Sequence, residues 1–533
     1  MKVLHEFRVP FAREPELKTL VAESLGLPPS QIGEIRVLKR SLDARQRHKL
    51  AWVYSLEVYL EGEEAVRAFA PFPQLDWRGL PPLILGAGPA GLFAAWTFLA
   101  HGIRPILFER GARTHRRMLK ISRYWRRGEL DPDSNVCNGE GGAGTFSDGK
   151  LITRIKSPLI PRVMQAFVDY GAPPEIAYVY NPHVGSNLIR EVIRRMSDDL
   201  IARGAQMRFE TRVESLDLSG NQVRGVVLAD GSRVPGTGLL LACGHSAGDL
   251  FHALHAQGVR FEPKPFALGL RIEHPQAYID RWQYGEVCGL PGLETAQYKL
   301  QSYWEAERVG VYTFCMCPGG YVISSTTDPE TIVVNGMSNY HRNSKWANAA
   351  VVCSVDAQRV PGEDVFKMMR FQRGIEGAVY QASRARGDGR AVPAQRLEDF
   401  LAGREGRLTA KSSCPSGVVA ADLSKLLPDW IVPFLREGLL DFDRRRRGFA
   451  HPEALLHAVE SRTSSPVRIP RDPETFESLS TEGLFPCGEG PGYAGGITSA
   501  AVDGMRAALA WIDQYCKGGG KIGRRAAAGR AGA

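Results

Sequence analysis

The sequence predicts an α/β fold: a doubly wound parallel sheet, a mixed α+β domain inserted into it, and a small α+β domain in front. Residues 83–109 read as strand, glycine turn, helix and strand, which is how a doubly wound sheet begins. Near the end of the chain, the strand-like "GLFPCG" and the helix-like "ITSAAVDGMRAALAWIDQYC" flank a second glycine-rich turn, so we expect the chain to return to that sheet. A length of 533 residues leaves room for several domains.

The small domain is predicted for residues 1–75 and is expected to be ferredoxin-like. Its sequence reads as strand, helix, strand and strand. The last two runs, "GEIRVLKRSL" and "KLAWVYSLEVYL", alternate apolar and polar residues as half-buried strands do. The Pro-rich stretch "APFPQLDWRGLPP" at 70–82 predicts a linker to the next domain.

Composition and charge exclude several classes of protein. The chain is 44% hydrophobic and 23% charged, a globular mixture, and five basic residues of its last 17 account for more than half of the net charge of +9. We expect that tail to be solvated rather than part of an organised nucleic-acid-binding surface. Nine scattered cysteines, an odd number, argue against a disulfide framework. The start has no apolar stretch of signal length, so a cytoplasmic location without integral membrane association is expected.

The first glycine turn predicts a dinucleotide site. Gly86, Gly88 and Gly91 have the spacing G-x-G-x-x-G between the apolar strand "PLIL" and a helix. These glycines permit a tight turn, close approach of a pyrophosphate and close helix packing, and the helix N-terminus attracts the anion. Glu109, at the end of the next strand, is expected to bind the ribose hydroxyls of an adenosine. The uncharged run 83–100 is therefore interpreted as part of this site rather than as a membrane span.

The late turn, "CGEGPGYAGGITSAAVDG" from Cys487, makes FAD the expected dinucleotide. Nicotinamide dehydrogenases end without such a second anchor, whereas FAD enzymes of the glutathione-reductase type return at the end of the chain to contact ribitol and flavin. A helix that starts after Gly495 and Gly496 would direct its N-terminus at flavin N1 and O2, where the reduced ring is anionic.

Two further stretches support this interpretation: "NGEGGAGTFSDGK" at 138–150 is a second glycine-dense loop, and "LLLACGHSAGD" at 239–249 is an apolar strand that ends in a glycine turn. The predicted cofactor-binding residues are Gly86, Gly88, Pro89, Ala90, Gly91, Glu109, Arg110, Gly141, Gly142, Gly144, Thr145, Gly244, Gly488, Glu489, Gly495, Gly496 and Ile497.

Together these segments resemble a poorly characterised family of FAD-dependent, NAD(FAD)-utilising dehydrogenases of bacteria and plastids. The likeness runs from about residue 30 to 513. It rests on "GAGPAGLFAA", "NGEGGAGTFSDGKL", "PHVGSN", "ACGHSAGD", "VYTFCMCPGG", "NGMS", "ESRTSSPVRI" and "PCGEGPGYAGGITSAAVDG". The resemblance implies a glutathione-reductase-like FAD fold with an inserted substrate domain. The chain departs from the family pattern at Cys137-Asn138, Gly248 and Cys414, where an aromatic residue, an arginine and a tyrosine are expected.

The predicted domains follow from this pattern. After the small domain we expect the first part of the FAD-binding domain at 80–258, a substrate or cap domain at 259–460, the return of the FAD-binding domain at 461–516, and a disordered basic tail at 517–533.

Arg462, His245 and Lys150 are the catalytic candidates. "ESRTSSPVR" places Arg462 beside Glu460 and hydroxyl groups, a composition that suits the anchoring of a carboxylate or phosphate, or an ion-pair network between domains. His245 follows a glycine turn and could contact the cofactor, act as an acid, or serve only as a loop histidine. Lys150 closes the second glycine-dense stretch. No metal site is expected, because no His/Cys cluster has zinc spacing.

The cysteines allow two interpretations. Cys315 and Cys317 are two residues apart in a strand-like run, so both thiols face one side. A ring closed between them would be strained, so small buried cysteines are favoured over a redox pair. Cys137 stands alone in the glycine-dense loop, whereas flavin-linked disulfide reductases use two cysteines four residues apart.

Two functions are compatible with the sequence. The first is an FAD-dependent oxidoreductase that transfers hydride between an organic substrate and flavin N5. Because a single G-x-G-x-x-G is present, any NAD(P)H would act as a transient electron donor. The alternative is a flavoprotein with a structural or sensory FAD, in which the basic stretch "KRSLDARQRHK" at 39–49 binds a partner or RNA.

Overall fold

The structure is a computed structural model that describes residues 1–46, 49–65 and 69–518. Its first sheet is antiparallel with the order β1–β3–β2. A ferredoxin-like fold has a second helix and a fourth strand. Within the described residues this sheet has three strands and one α-helix. The ferredoxin-like prediction therefore included one strand and one helix too many. The elements are β1 (Lys2–Pro10), α1 (Leu17–Leu25), β2 (Ile32–Asp43) and β3 (Ala51–Leu60).

The small sheet is joined to the rest of the chain through β2. The N–H of Arg40 donates to the carbonyl of Tyr178 at 2.8 Å, and the N–H of Tyr180 donates back to the carbonyl of Arg40 at 2.9 Å. The basic stretch considered for partner binding therefore attaches this sheet to the central region at Arg40. Residues 47–48 of that stretch lie outside the described residues, as does the predicted basic tail beyond residue 518.

The central region continues with short strands and longer helices. In chain order these are β4 (Leu83–Leu85), α2 (Pro89–Ala100), β5 (Ile106–Phe108), α3 (Thr114–Arg127), α4 (Ile160–Asp169), α5 (Gly185–Ala202), β6 (Gln206–Arg208), β7 (Val213–Ser219), β8 (Gln222–Leu228), β9 (Arg233–Pro235), β10 (Leu239–Leu241), α6 (Gly248–Ala256) and β11 (Glu262–Pro263).

The next region is richer in strands and ends with the return to the central sheet. Its elements are β12 (Phe266–Pro275), α7 (Gln276–Tyr284), β13 (Gln301–Trp304), β14 (Val309–Cys317), β15 (Gly320–Ser324), β16 (Val334–Ser338), β17 (Trp346–Val355), α8 (Lys367–Arg384), β18 (Val392–Arg396), α9 (Leu397–Leu401), β19 (Val418–Ala420), α10 (Ile431–Arg445), β20 (Leu455–Glu460), β21 (Val467–Arg468), β22 (Leu484–Pro486) and α11 (Ile497–Tyr515).

The central sheet is parallel, with the order β22–β10–β4–β5–β6. Its inner strands are short, apolar and buried, as in sheets that helices cover on both faces. Helices α2 and α11 pack so closely that a Cβ at Gly504 would clash with the carbonyl of Ala90. Phe93, Phe98 and Trp511 belong to the hydrophobic core there. No helix of the described residues is long and apolar enough to cross a membrane.

The cap region is built on a seven-stranded sheet with the order β13–β14–β17–β12–β20–β18–β19. The pairs are antiparallel except β18 with β19. Its central strand β12 is buried along nearly its whole length, yet it carries the charged residues Arg271 and Glu273. The antiparallel pair β11–β21 brings together the segments that enter and leave this region.

Candidate functional site

Three glycine turns lie side by side at one edge of the central sheet. Each follows one of the strands β4, β10 and β22, which are neighbours and parallel, so their carboxyl ends meet at the same edge. A Cβ at Gly86 would clash with the carbonyl of Ala242, and a Cβ at Gly490 would clash with that of Gly244. Only glycines permit these turns to approach so closely. We call the depression that they form the groove.

The first turn of α2 opens onto this groove. Gly88 is the N-cap residue, and no side chain of the described residues caps this helix. The nearest atom to a Cβ built on Gly88 would be the Cα of Gly142, at 3.9 Å. The space beside the helix start is therefore open at Gly88, as a pyrophosphate-binding helix start requires.

A loop that we call the bridging loop, residues 138–151, connects the starts of α2 and α11. The N–H of Gly141 donates to the carbonyl of Ala87 at 2.8 Å, just before α2. At its other end, the hydroxyl of Thr498 in the first turn of α11 donates to the carbonyl of Leu151 at 2.6 Å. The loop thus sets the spacing of the two helix starts.

The buried guanidinium of Arg117 holds this loop from behind. It donates to the carbonyls of Asn135, Val136, Glu140 and Gly142 at 2.8, 2.7, 2.7 and 3.0 Å. Burial lowers the pKa of Arg117 to about 10, and the negative charges nearby only partly offset this effect. Because the partners of the guanidinium are backbone carbonyls, the fold uses a side chain of α3 to shape backbone that could face a cofactor.

Glu109 lies where the sequence predicted it, at the carboxyl end of β5. Its buried carboxylate accepts hydrogen bonds from the N–H of Ala87 at 2.8 Å and from the N–H of Gly111 at 2.9 Å. The acid therefore stands beside the first glycine turn, at the end of the groove expected to hold an adenosine ribose.

Arg110, also predicted to bind cofactor, has two carboxylate partners. Its guanidinium forms ion pairs with Asp133 at 2.7 Å and with Asp249 at 2.8 Å. Burial lowers the pKa of Arg110, but the two carboxylates outweigh burial and raise it overall. Its charge is thus neutralised by side chains of two separate segments.

The catalytic candidate Lys150 lies where the bridging loop meets the cap. Its ammonium is 2.7 Å from Asp148 and donates to the carbonyl of Met316 on β14. Asp148 also accepts from Ser338 at the end of β16 and pairs with Arg342. Burial lowers the pKa of Lys150, but Asp148 and the thiols of Cys317 and Cys315 together outweigh burial and raise it, so this side chain is a cation and a hydrogen-bond donor.

Cys315 and Cys317 lie beside Lys150, and their thiols interact with each other. A bulge in β14 and a φ of 44° at Cys315 interrupt the strand here. The thiol of Cys317, together with Lys150 and Arg271, lowers the pKa of Cys315 to about 6, and the same pairing raises the pKa of Cys317. The two thiols therefore share one negative charge between two cations.

His245, the second candidate, lies on the other side of the groove. Its Nδ1 is 3.5 Å from Oε1 of Glu489 in the late glycine turn. The thiol of Cys137, just before the bridging loop, interacts with the same imidazole. Sequence reasoning missed Cys137 because it looked for a second cysteine nearby. The signal that could have found it is its position: Cys137, His245 and Glu489 each lie within two residues of a glycine in a different turn or loop.

Arg462, the third candidate, is enclosed by acids. Its guanidinium pairs with Glu376 at 2.9 Å and Asp328 at 3.1 Å, and donates to Ser246 at 3.0 Å and to Thr327. Burial lowers the pKa of Arg462, but the two carboxylates outweigh burial and raise it. Arg462 therefore belongs to an ion-pair network, the alternative that the sequence had left open. Lys150 is in a different cluster from His245 and Arg462.

These clusters do not form a metal centre: no group of three or more His, Cys, Asp or Glu in the described ranges could hold a metal ion. The groove instead has open glycines, an uncapped helix start, and an acid after the second strand. These features fit the phosphates and ribose of a dinucleotide.

Comparisons with known proteins identify relatives of the whole chain. Residues 265–463 match the family described as "FAD-dependent protein, C-terminal domain-like", and residues 1–59 match a domain of unknown function. An uncharacterized protein of Clostridium beijerinckii is 34% identical over 516 residues, covering 94% of this chain and 96% of that protein.

Solved structures show weaker likeness. CtdE in complex with FAD and a substrate is 11% identical, with a TM-score of 0.36 over 84% of this chain and 84% of that one. Halogenase PltM is also 11% identical, with a TM-score of 0.38 over 82% of this chain and 70% of that one. The tetracycline destructase Tet(51) is 12% identical, with a TM-score of 0.32 over 84% of this chain and 89% of that one. Likeness at this level says nothing about activity.

Proposed function

The chain belongs to a family of FAD-dependent proteins, and from this premise we propose that it is an oxidoreductase that transfers hydride between an organic substrate and flavin N5. FAD is its cofactor, as the glycine turns predicted. When bound, FAD supplies the chemistry of hydride acceptance and donation. The residues of the chain would bind it, exclude water and position the substrate.

The groove would hold the cofactor by backbone groups. The N–H groups at the start of α2 would bind the pyrophosphate, and Glu109 would accept hydrogen bonds from ribose hydroxyls. The start of α11, at Gly496 and Ile497, would place positive helix potential near the ring and so favour the reduced state.

The observation that carries the proposal is the position of the bridging loop. The loop contacts the starts of both helices, and through Asp148 and Lys150 it contacts the strands β16 and β14 of the cap. Cofactor groove and cap thus share one wall. A substrate between them would meet the ammonium of Lys150, which suits an anionic or carbonyl group on the substrate.

The test is transient kinetics on the FAD-loaded protein under anaerobic conditions. NADH, NADPH and dithionite are compared as reductants, and the reduced protein is then mixed with a panel of quinones, aldehydes and enoates. The proposal expects at least one donor and one acceptor to react with saturation and faster than with free FAD.

Lys150→Met should weaken this reaction about tenfold or more while FAD remains bound, because the charge that meets the substrate is lost. Lys156→Met is the matched control, since Lys156 is an exposed lysine just beyond the bridging loop. If no donor or acceptor reacts faster than with free FAD, the proposal is wrong and a structural or sensory FAD is favoured.

A further inference from the structure

Cys137, His245 and Glu489 form a cluster that hydride transfer does not use. The three side chains come from different turns that meet at the groove. The side chain of His245 is only 9% exposed, and its Nδ1 faces Glu489 at 3.5 Å. Its Nε2 is buried and has no hydrogen-bond partner in the part of the chain that the structure describes. That nitrogen is therefore free to act on a molecule bound beside Cys137.

The charges in this cluster favour an ion pair. Burial raises the pKa of the Cys137 thiol, but the interactions with His245 and the charge of Arg462 outweigh it and lower the pKa overall. Burial lowers the pKa of His245, but Glu489 and Cys137 outweigh it and raise the pKa to about 10. Both shifts favour the pair thiolate and imidazolium over the neutral thiol and imidazole.

Other charged groups face the thiol from two sides. On the cap side, Arg462 is held by Glu376 and Asp328. On the side of α3, Arg117 lies behind the loop and contributes a second positive charge. Cys137 itself is partly exposed, and its Sγ is 3.8 Å from the carbonyl of Ser325. Access to this thiol is therefore restricted, which favours small reactants over bulky ones.

We propose that Cys137 is a reactive thiolate that reduces small hydroperoxides, with His245 as the proton donor and Glu489 as a positioning residue. The thiolate attacks the terminal peroxide oxygen, an S–O bond forms and the O–O bond breaks. The sulfur loses two electrons and becomes a sulfenic acid, and the peroxide is reduced to an alcohol or water. The leaving oxygen needs a proton, which the imidazolium supplies.

The favoured reactant is a hydroperoxide for two reasons. Its leaving oxygen is basic, so a proton donor at the sulfur accelerates its departure far more than that of a halide or thiolate. It is also small enough for a partly exposed sulfur. This inference goes beyond the proposed hydride transfer and does not depend on it.

The first experiment measures alkylation of the FAD-loaded protein by iodoacetamide with peptide mass spectrometry. A thiol with the ordinary pKa of about 8.5 reacts about twentyfold more slowly at pH 6.5 than at pH 8. If Cys137 is the thiolate that we propose, its alkylation should slow by less than about threefold over the same pH range. Cys516, which is also partly exposed and whose thiol pKa is raised by burial, serves as the reference in the same sample.

Variants test whether the reactivity of Cys137 depends on His245 and Glu489 or only on the exposure of its thiol. His245→Gln should return Cys137 to the steep pH dependence of an ordinary thiol, and Glu489→Gln should do so partly. The control is His115→Gln, an exposed histidine on α3. FAD absorbance and thermal unfolding are measured on each variant, so that loss of cofactor or fold is recognised.

The second experiment adds equimolar hydrogen peroxide and traps sulfenic acid with dimedone. The adduct is expected at Cys137, absent in Cys137→Ser and reduced about tenfold or more in His245→Gln. The proposal is overturned if Cys137 shows the pH dependence of Cys516, if His245→Gln changes neither readout, or if dimedone does not label Cys137. These results are independent of whether the bound FAD accepts hydride.

Discussion

Among the residues that the structure describes, the arginines Arg117 and Arg271 are fully buried, and their charges are compensated in different ways. Arg117, in the FAD-binding half, donates to four backbone carbonyls of the segment that leads into and forms the bridging loop. Arg271, in the cap, forms an ion pair with Glu460 at 2.8 Å and donates to Asn348 at 2.7 Å and Asn335 at 3.1 Å. Burial lowers the pKa of Arg117, whereas Glu460 and the neighbouring thiols of Cys317 and Cys315 together outweigh burial and raise the pKa of Arg271.

The difference shows two ways in which a buried arginine charge is compensated. At Arg117 the charge is compensated by backbone dipoles, because four carbonyls surround the guanidinium. At Arg271 the charge is compensated by the side chain of Glu460 on the neighbouring strand β20. Removing one partner of a side-chain pair leaves an unpaired buried charge. Removing hydrogen bonds to backbone carbonyls instead allows the loop that carries those carbonyls to change shape. The predictions below use this contrast.

The largest effect is expected from Glu460→Leu. The variant leaves the buried guanidinium of Arg271 without its carboxylate, which should lower the free energy of unfolding by about 3–5 kcal/mol. Urea denaturation measures the loss.

The matched double variant, Arg271→Met with Glu460→Leu, removes both charges and should recover most of that stability. A double variant no more stable than the single one would mean that the pair's value lies in its hydrogen bonds to Asn348 and Asn335, not in charge compensation.

A smaller effect is expected from Arg117→Lys. The ammonium keeps the charge but cannot reach four carbonyls with one planar group, so we expect a loss of about 2 kcal/mol. The bridging loop should exchange its amide hydrogens faster, and FAD affinity should fall about tenfold. Hydrogen exchange and flavin titration measure these changes. Arg195→Lys, an exposed arginine of α5, should leave both unchanged; equal effects in the two variants would contradict the scaffold role of Arg117.

A still smaller effect tests the backbone dipoles at α11. Gly496→Asp places a carboxylate at the start of this helix and should oppose about 0.5–2 kcal/mol of favourable helix potential. Since 30 mV corresponds to about 1.4 kcal/mol for two electrons, the flavin potential should fall by about 10–40 mV. The control, Arg506→Gln, makes the same change in net charge on an exposed side chain further along α11. If a redox titration gives the two variants the same potential, this helix start does not act on the flavin.

The smallest effect is expected from the double change Cys315→Ser and Cys317→Ser. The thiols share a charge within an ion-paired cluster, so the rate of flavin reduction should stay within about twofold of wild type. Stopped-flow absorbance measures that rate. Loss of turnover with FAD still bound would instead make this pair the catalytic thiols.

The glycine turns were predictable because their chemistry is local. A turn that admits no Cβ, or that exposes N–H groups at a helix start, requires glycine at fixed spacing, so Gly86, Gly88 and Gly91 stand out in one short stretch. The partners of the catalytic candidates were not predictable. Glu376 and Asp328 enclose Arg462 although they are 86 and 134 residues away in sequence. Arg110, which was also predicted to bind cofactor, pairs with Asp133 and Asp249, 23 and 139 residues away in sequence.

By itself, the sequence predicted a groove of glycine turns and FAD as the cofactor, because the geometry of a turn depends on residues that are adjacent along the chain. Only the tertiary structure decided which side chains share that groove. The sheet order places β10 between β4 and β22, and this order brings His245 to Glu489, 244 residues later. Charge compensation and thiol activation act over a few ångströms of space, whatever the separation in sequence.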